Sequence, residues 1–174
     1  YGECSGRIMG DKLGLLNFTD DDDALVEELV EALHVAETDM TLFFRRLADV
    51  PTHSGVDDNA LIAPLRAAFY AEENAGAQLL PWLHRYVGRL RRDNEDTVAR
   101  RERMNRTNPK YVARNYLAQL AIDALAAGDA SVINRLLAVL ERPYDDQPEH
   151  EDLAGRRPEW ARHKAGCSAL SCSS

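Results

Sequence analysis

Apolar residues recur at helical spacing through most of this 174-residue chain, and this periodicity most constrains its fold. Leu25, Val26, Leu29, Val30 and Leu33 form one such face, with glutamates between them on the other side. The chain contains no alternating apolar and polar run longer than four residues, which is the pattern of a half-buried strand. The sequence therefore predicts an all-α fold.

Helix boundaries follow from residues that start or stop helices. We expect a first helix that ends near Gly14, and a helix from Thr19 onward that is capped by the four aspartates 20–23. Residues 39–48 should form a helix with Arg45 and Arg46 on a solvated or acid-paired flank, followed by a loop over residues 51–59. Pro64 should start or kink the next helix.

A longer helix is predicted over residues 81–92, and its four arginines should lie largely off the buried face: Arg85, Arg89, Arg91 and Arg92. That face contains Trp82, Leu83, Tyr86, Val87 and Leu90. Residues 97–106 are almost entirely polar, so this piece needs a partner or serves as a connector.

The segment NPKYVARNYLAQ predicts another helix that begins at Asn108 and Pro109, because proline suits the first helical position. Apolar residues then recur every fourth position from Val112. Lys110 and Arg114 should lie near or beyond the edge of this face, where they need solvent or an acidic partner from elsewhere in the fold.

Beyond this helix, Gly128 should provide a C-terminal cap, and a last helix should run over residues 132–140 until Pro143 stops it. We therefore divide the chain into a helical region, 1–143, and an extended, proline-rich tail, 144–174. Tyr144 and Trp160 should pack the tail onto the helices, and its end should be mobile.

Positive charge is concentrated in the middle of an acidic chain. The formal net charge is −8, yet ten Lys/Arg and four Asp/Glu occur between Arg85 and Arg114. Such a cluster could bind nucleic acid, but acidic residues intervene and the rest of the surface would repel a polyanion. Internal pairing, or docking onto a further part of the protein, is the interpretation that we favour.

Three motif-like segments do not meet the requirements of the sites they resemble. GRIMGDK has the wrong glycine spacing for a phosphate-binding loop, and Asp11 occupies a position where phosphate would lie. The aspartates 20–23 lack the alternating ligands of a calcium loop, and Glu31 with His34 is a single Glu-x-x-His pair where a di-iron site needs two. We therefore predict no catalytic, cofactor-binding or metal-binding residue in this chain.

Several blocks in order resemble the C-terminal part of the selenoprotein O family. They are KLGL at 12–15, FRRLAD at 44–49, NPKYVARNYLAQ at 108–119, PYDDQPEHEDLAGRRPEW at 143–160 and SCSS at 171–174. The resemblance implies the C-terminal helical part of a kinase-like protein adenylyltransferase, which transfers AMP from ATP to protein hydroxyl groups with Mg²⁺. It also implies that ATP and the metal are held by an upstream kinase-like core, to which no residue of this chain corresponds.

The same resemblance draws attention to Cys172, since eukaryotic members of the family carry selenocysteine at this place. It implies a thiol that can form a regulatory disulfide, although Ala169 stands where the Cys-x-x-Sec pattern has its cysteine and the nearest thiol is Cys167. An inert tail cysteine is the alternative.

Three further expectations concern the chain as a whole. The start at Tyr1 suggests a position internal to a longer protein, and three cysteines without a membrane-spanning run suggest the cytoplasm. The upstream core and protein substrates are the expected partners. A non-catalytic helical module that binds other proteins is the alternative function.

Overall fold

The computed structural model describes residues 2–35, 37–164 and 167, without the side chains of 2–5, 35, 72–75 and 77. These residues contain nine α-helices and no β-strand, which confirms the all-α prediction. The helices are α1 Gly2–Leu13, α2 Asp23–Val35, α3 Met40–Leu47, α4 Asp58–Ile62, α5 Glu72–Asp93, α6 Thr97–Thr107, α7 Asn115–Ala126, α8 Ser131–Leu140 and α9 Glu159–Arg162. Short 3₁₀ helices span Asp20–Asp22, Ala63–Ala68 and Pro148–Ala154.

Local chemistry sets most of the helix ends. Gly14 and Gly128 follow α1 and α7 with φ of +73° and +85°, which confirms both predicted stops. Asn94 ends α5 in the left-handed region. Aspartate carboxylates cap three helix starts: Asp39 and Asp57 accept from the third backbone N–H of α3 and α4, and Asp96 accepts from the second and third of α6.

The structure around Pro64 addresses the two alternatives for this residue, a helix that starts there or a helix that is kinked there. Helix α4 begins at Asp58, within the residues predicted as a loop, and ends at Ile62. Pro64 then lies in the first turn of a 3₁₀ helix, Ala63–Ala68, where its missing N–H costs no hydrogen bond. Proline therefore starts a new, tighter helix here and kinks the chain.

Helix α5 supplies two large aromatic side chains to the interior, as its spacing predicts. Trp82 and Tyr86 stack with ring centroids 4.9 Å apart, and both are buried. Their polar atoms are satisfied, since Trp82 Nε1 donates to the Leu25 carbonyl at 2.7 Å and the Tyr86 hydroxyl donates to the Leu13 carbonyl at 2.8 Å. These two bonds attach α5 to α2 and to the end of α1.

Buried apolar residues form two clusters. The N-terminal core takes side chains from α1 to α6 and includes Leu13, Leu29, Phe43, Leu65, Leu83 and Met104. The C-terminal core lies around α7 and α8 and includes Tyr111, Leu117, Leu136, Val139, Leu153 and Ala161. Mainly polar contacts, described below, join the two cores.

The predicted helix start at Asn108 is wrong. Residues 108–114 run between α6 and α7 without helical structure, and α7 begins at Asn115. Asn108 instead ends α6, because its backbone N–H donates to the Met104 carbonyl, and its side chain donates to the Lys12 carbonyl. The N–H groups of Lys110 and Tyr111 both donate to the Pro143 carbonyl, so tertiary partners replace the helical hydrogen bonds.

The described part of the predicted tail is more regular than we expected. Residues 148–154 form a 3₁₀ helix and residues 159–162 form α9, so extended structure is a wrong description of this part. Trp160 packs edge-on against Tyr116, as expected, although it is 46 % exposed, and Tyr144 is exposed to a similar degree, 43 %. The predicted mobile end lies outside the described residues, and the division at residue 143 stays a prediction.

Candidate functional site: a cationic cavity between α3, α6 and the C-terminal segment

The arginine-rich stretch is directed largely toward other parts of the chain. Within the described residues, eight of the ten Lys/Arg side chains between Arg85 and Arg114 contact carboxylates or backbone carbonyls. The internal pairing that we favoured from the sequence is therefore confirmed for these eight residues. That nucleic acid does not bind stays a prediction.

Arg89 shows how α5 uses its charges, and it corrects one expectation. We placed this arginine off the buried face, but it is only 8 % exposed. Its Nε donates to Asp22 Oδ1 at 2.7 Å, and its other nitrogens reach Asp93 and the Asn17 carbonyl. Burial favours protonation of Asp22, but the hydrogen bonds from Arg89 and Thr19 outweigh it and lower the pKa of that carboxyl.

The polar helix α6 packs inward through a long arginine, which explains how so polar a helix is held. Arg100 is buried and donates to the Val50 carbonyl at 2.9 Å, while Met104 one turn later lies in the N-terminal core. Arg103 binds Glu95 and also donates to the Gly14 carbonyl at 2.9 Å. The prediction that this piece needs a partner is confirmed.

A buried ion pair joins the two cores. Arg114, just before α7, binds both carboxylate oxygens of Asp39, the residue that caps α3. Both side chains are buried. Of the two alternatives for Arg114, an acidic partner from elsewhere in the fold is therefore the correct one. Lys110 has acidic partners as well, since its Nζ contacts Asp146 at 3.0 Å and also reaches Glu151.

Arg45 forms a second connection, and of the two alternatives for its flank, solvated or acid-paired, the acid-paired one is correct. Its Nη1 donates to the carbonyls of Asn105, Asn108 and Tyr144 at 2.9–3.1 Å, and Nη2 donates to Asp146 at 3.3 Å. Burial lowers the pKa of the Arg45 guanidinium, and Asp146 partly offsets this. Nothing in the local periodicity indicates this role, since three of the four acceptors are backbone carbonyls distant in sequence.

These contacts border a cavity of about 500 Å³, which we call the α3–α6 cavity. One wall comes from α3 and α6 and includes Thr41, Arg46, Asp49, Arg101 and Asn105. The opposite wall comes from Lys110 and from residues 144–164, here called the C-terminal segment, which contribute Asp146, Glu151, Ala154, Gly155 and Arg156. The cavity therefore lies between elements of the two cores.

Lys110 and Asp146 stabilise each other's charged forms. Burial alone would lower the pKa of Lys110, but its hydrogen bonds to Glu151 and Asp146 outweigh this and raise that pKa. The hydrogen bond from Lys110 lowers the pKa of Asp146. With five cationic and three acidic side chains in its lining, the cavity has a net charge of +2. The sequence could reveal only the basic stretch, because the acidic and basic partners come from distant segments.

Neither a metal site nor a disulfide emerges from the residues that the structure describes. Within them, no group of three or more His, Cys, Asp or Glu side chains converges, so they do not fit a Mg²⁺ site. Cys167 is a free thiol, 2 % exposed, in the C-terminal core. Cys172 lies outside the described residues, so its disulfide stays a prediction. His34 Nδ1 lies 2.8 Å from the Val30 carbonyl oxygen, one turn earlier on α2.

In the described part of the chain, no helix has both the length and the apolar character that a membrane crossing requires.

Comparison with known proteins identifies relatives along the whole length of the chain. The chain is 49 % identical to protein nucleotidyltransferase YdiU of Nitrosospira multiformis, over 96 % of the chain and 34 % of that protein. It is 48 % identical to the protein of the same name from Rhodopirellula baltica, over 96 % of the chain and 33 % of that protein. It is 47 % identical to the protein of the same name from Xanthomonas campestris, over the full chain and 33 % of that protein. The chain thus spans about a third of the length of the curated relatives it matches.

A family model described as protein adenylyltransferase SelO matches residues 1–141. This match covers most of the chain and agrees with the resemblance of its sequence blocks. The chain therefore belongs to the SelO family.

Proposed function

We propose that this chain is the C-terminal helical part of a SelO-type protein adenylyltransferase, which transfers AMP from ATP to serine, threonine or tyrosine hydroxyls of proteins. The observation that carries the proposal is the identity of 47–49 % to protein nucleotidyltransferases along nearly the whole chain. Since the chain spans about a third of those relatives, the catalytic residues would lie in the part that it does not span.

In this proposal the chain contributes structure and not chemistry. ATP and Mg²⁺ would be held by a kinase-like core outside these residues, consistent with the absence of a converging acidic site among the described residues. The two apolar cores of this chain and the ion pairs between them would form a helical body. The kinase-like domain outside these residues would pack against that body. We place the protein in the cytoplasm, because three cysteines are too few for a disulfide framework.

A chimera provides the test. This chain would replace the matching segment of the Nitrosospira multiformis protein, and the product would be incubated with ATP and Mg²⁺. We expect label from α-³²P-ATP to appear on protein, and label from γ-³²P-ATP not to appear. The relative without its matching segment, and this chain alone, should transfer neither label.

Two results would contradict the proposal. Transfer of the γ-label would show a kinase instead of a nucleotidyltransferase. Transfer of AMP by this chain alone would show that its own residues hold ATP.

The alternative function, a non-catalytic module that binds proteins, is favoured by one observation. Helices α7 and α8 expose four large apolar side chains, which are Leu120, Ile122, Leu125 and Leu137. An independent module should unfold cooperatively in urea when produced alone and remain monomeric in sedimentation. Aggregation of the isolated chain would instead favour a body that requires the rest of the enzyme.

A further inference from the structure

One wall of the α3–α6 cavity carries two guanidinium groups that share a single carboxylate. Arg101 Nε lies 2.8 Å from Asp49 Oδ1, and Arg46 Nη1 lies 3.6 Å from Asp49 Oδ2. The Arg101 side chain is 58 % exposed. Among the described residues, the two terminal nitrogens of its guanidinium have no partner, so they can donate hydrogen bonds to a ligand.

The other charges of the lining are largely neutralised. Arg45 and Lys110 face Asp146 and Glu151, which leaves no net charge in this group. Arg156 is the exception, because Nη1 donates to the Phe69 carbonyl and no described carboxylate pairs with it. Its guanidinium lies 5.6 Å from the Tyr70 ring. The net charge of +2 therefore belongs to Arg46, Arg101 and Arg156 together with Asp49.

The cavity also has apolar surface and sufficient room. Leu42, Ala67 and Ala154 line it between the charged groups. Its volume of about 500 Å³ falls within the range of small-molecule sites, about 300–1,000 Å³. A ligand that matches this lining carries a compact double negative charge at one end and an apolar body at the other.

We propose that the α3–α6 cavity binds a small phosphomonoester of nucleoside monophosphate size, with its phosphate on Arg46 and Arg101. A phosphomonoester carries close to two negative charges at neutral pH; Arg46 and Arg101 with Asp49 offer it a net charge of +1, and Arg156 supplies the second positive charge of the lining. Arginine forks bind phosphate oxygens through pairs of hydrogen bonds. The apolar body would lie along Leu42 and Ala154, toward Arg156.

Such a ligand would contact both cores. Arg46 and Arg101 belong to helices of the N-terminal core, whereas Ala154 belongs to the C-terminal core. Binding would therefore stabilise the contact between the two cores and slow amide exchange in α3, α6 and the C-terminal segment. This inference does not depend on the proposed function.

The first test measures binding of AMP to the full 174-residue chain by isothermal titration. AMP should bind and adenosine should not, because adenosine lacks the phosphate. Arg101→Ala and Arg46→Ala should each raise the Kd for AMP about tenfold, the effect of losing charge-assisted hydrogen bonds. Arg101→Lys keeps the charge without the fork and should have an intermediate Kd.

Arg106→Ala is the matched control. Arg106 is also an exposed arginine of α6, but it does not line the cavity, so its removal should leave the Kd unchanged. The proposal is wrong if AMP does not bind, if Arg106→Ala weakens binding as much as Arg101→Ala, or if adenosine binds as tightly as AMP. It is also wrong if a short phosphoserine peptide binds and AMP does not.

The second test uses the chimera described above, so that it does not require the isolated chain to fold. Hydrogen exchange with and without AMP should show protection in peptides covering residues 41–49, 101–105 and 146–156. Arg101→Ala should remove this protection, whereas protection at a separate catalytic nucleotide site would persist. If AMP does not change the exchange rates of these peptides, the proposal is wrong, even if the chimera still transfers AMP.

Discussion

Replacing Asp22 with alanine tests the interpretation that a buried ion pair of an α5 arginine stabilises this fold. Asp22 is 2 % exposed, and its carboxylate accepts two hydrogen bonds from Arg89 and two from Thr19, at 2.7–3.2 Å. The substitution removes all four. Arg89 would keep Asp93 and the Asn17 carbonyl as partners but would lose the carboxylate that its Nε contacts.

The expected cost follows from burial. Removing one partner of a buried ion pair costs about 3–5 kcal/mol, because the other charge stays in a poorly solvated place. A domain of this size has a free energy of unfolding of about 5–15 kcal/mol. Asp22→Ala should therefore remove about a fifth of the stability or more.

The neighbouring pair supplies the matched control. Arg85 lies one turn before Arg89 on the same helix and pairs with Glu28 of α2, but both side chains are about half exposed. Glu28→Ala should cost about 0–1 kcal/mol, since solvent replaces the lost contact. Urea denaturation followed by circular dichroism measures both values. Equal costs for the two substitutions would refute the reasoning that burial decides the effect.

The pKa of Asp22 gives this prediction a pH dependence. Because its pKa is lower in the folded chain than in the unfolded chain, the unfolded state binds more protons at acidic pH. The stabilisation by the pair is complete above the unfolded value of about 3.9, and it is lost as the pH falls through the lower folded value. The difference in stability between the natural chain and Asp22→Asn should therefore shrink below about pH 4. A difference independent of pH would show that Asp22 stabilises the fold without its charge.

Three further substitutions test backbone conformation and the contact between the cores. Gly14→Ala should lower the free energy of unfolding by about 2 kcal/mol or more, because φ is +73° and a Cβ would lie 2.5 Å from Met104 Sδ. Gly88→Ala is the control, because Gly88 lies within α5 with open space around its Cβ position. It should raise the free energy of unfolding by about 0.5–1 kcal/mol in the same urea titrations. Arg114→Ala leaves Asp39 buried without its ion pair and should cost about 3–5 kcal/mol. Hydrogen exchange should then quicken in α7 and α8 more than in α5, and uniform acceleration would contradict a local role.

Local signals predicted several elements well. The apolar face of α5 and the glycines after α1 and α7 were recognisable, because helical spacing and left-handed backbone conformations depend on residues close in sequence. The capping of α3 by Asp39 is also a local interaction, although we predicted residue 39 as part of the helix.

The prediction failed where tertiary hydrogen bonds compete with helical ones. Asn108 and Pro109 have the composition of a helix start, yet the N–H groups that follow bind the Pro143 carbonyl. The buried arginines are a second example. Arg45 and Arg89 have the same local surroundings as exposed arginines, and only distant carboxylates and carbonyls make their burial favourable.

The sequence by itself determined that the chain is helical, where several helices end, and to which family it belongs, because periodicity, capping residues and sequence blocks are all local properties. The tertiary structure alone decided which charges are buried and where the α3–α6 cavity lies. Its walls come from residues 41–49, 101–105 and 146–156, and packing of the two cores brings these distant segments together. The ligand chemistry of a cavity depends on that juxtaposition, which no single segment encodes.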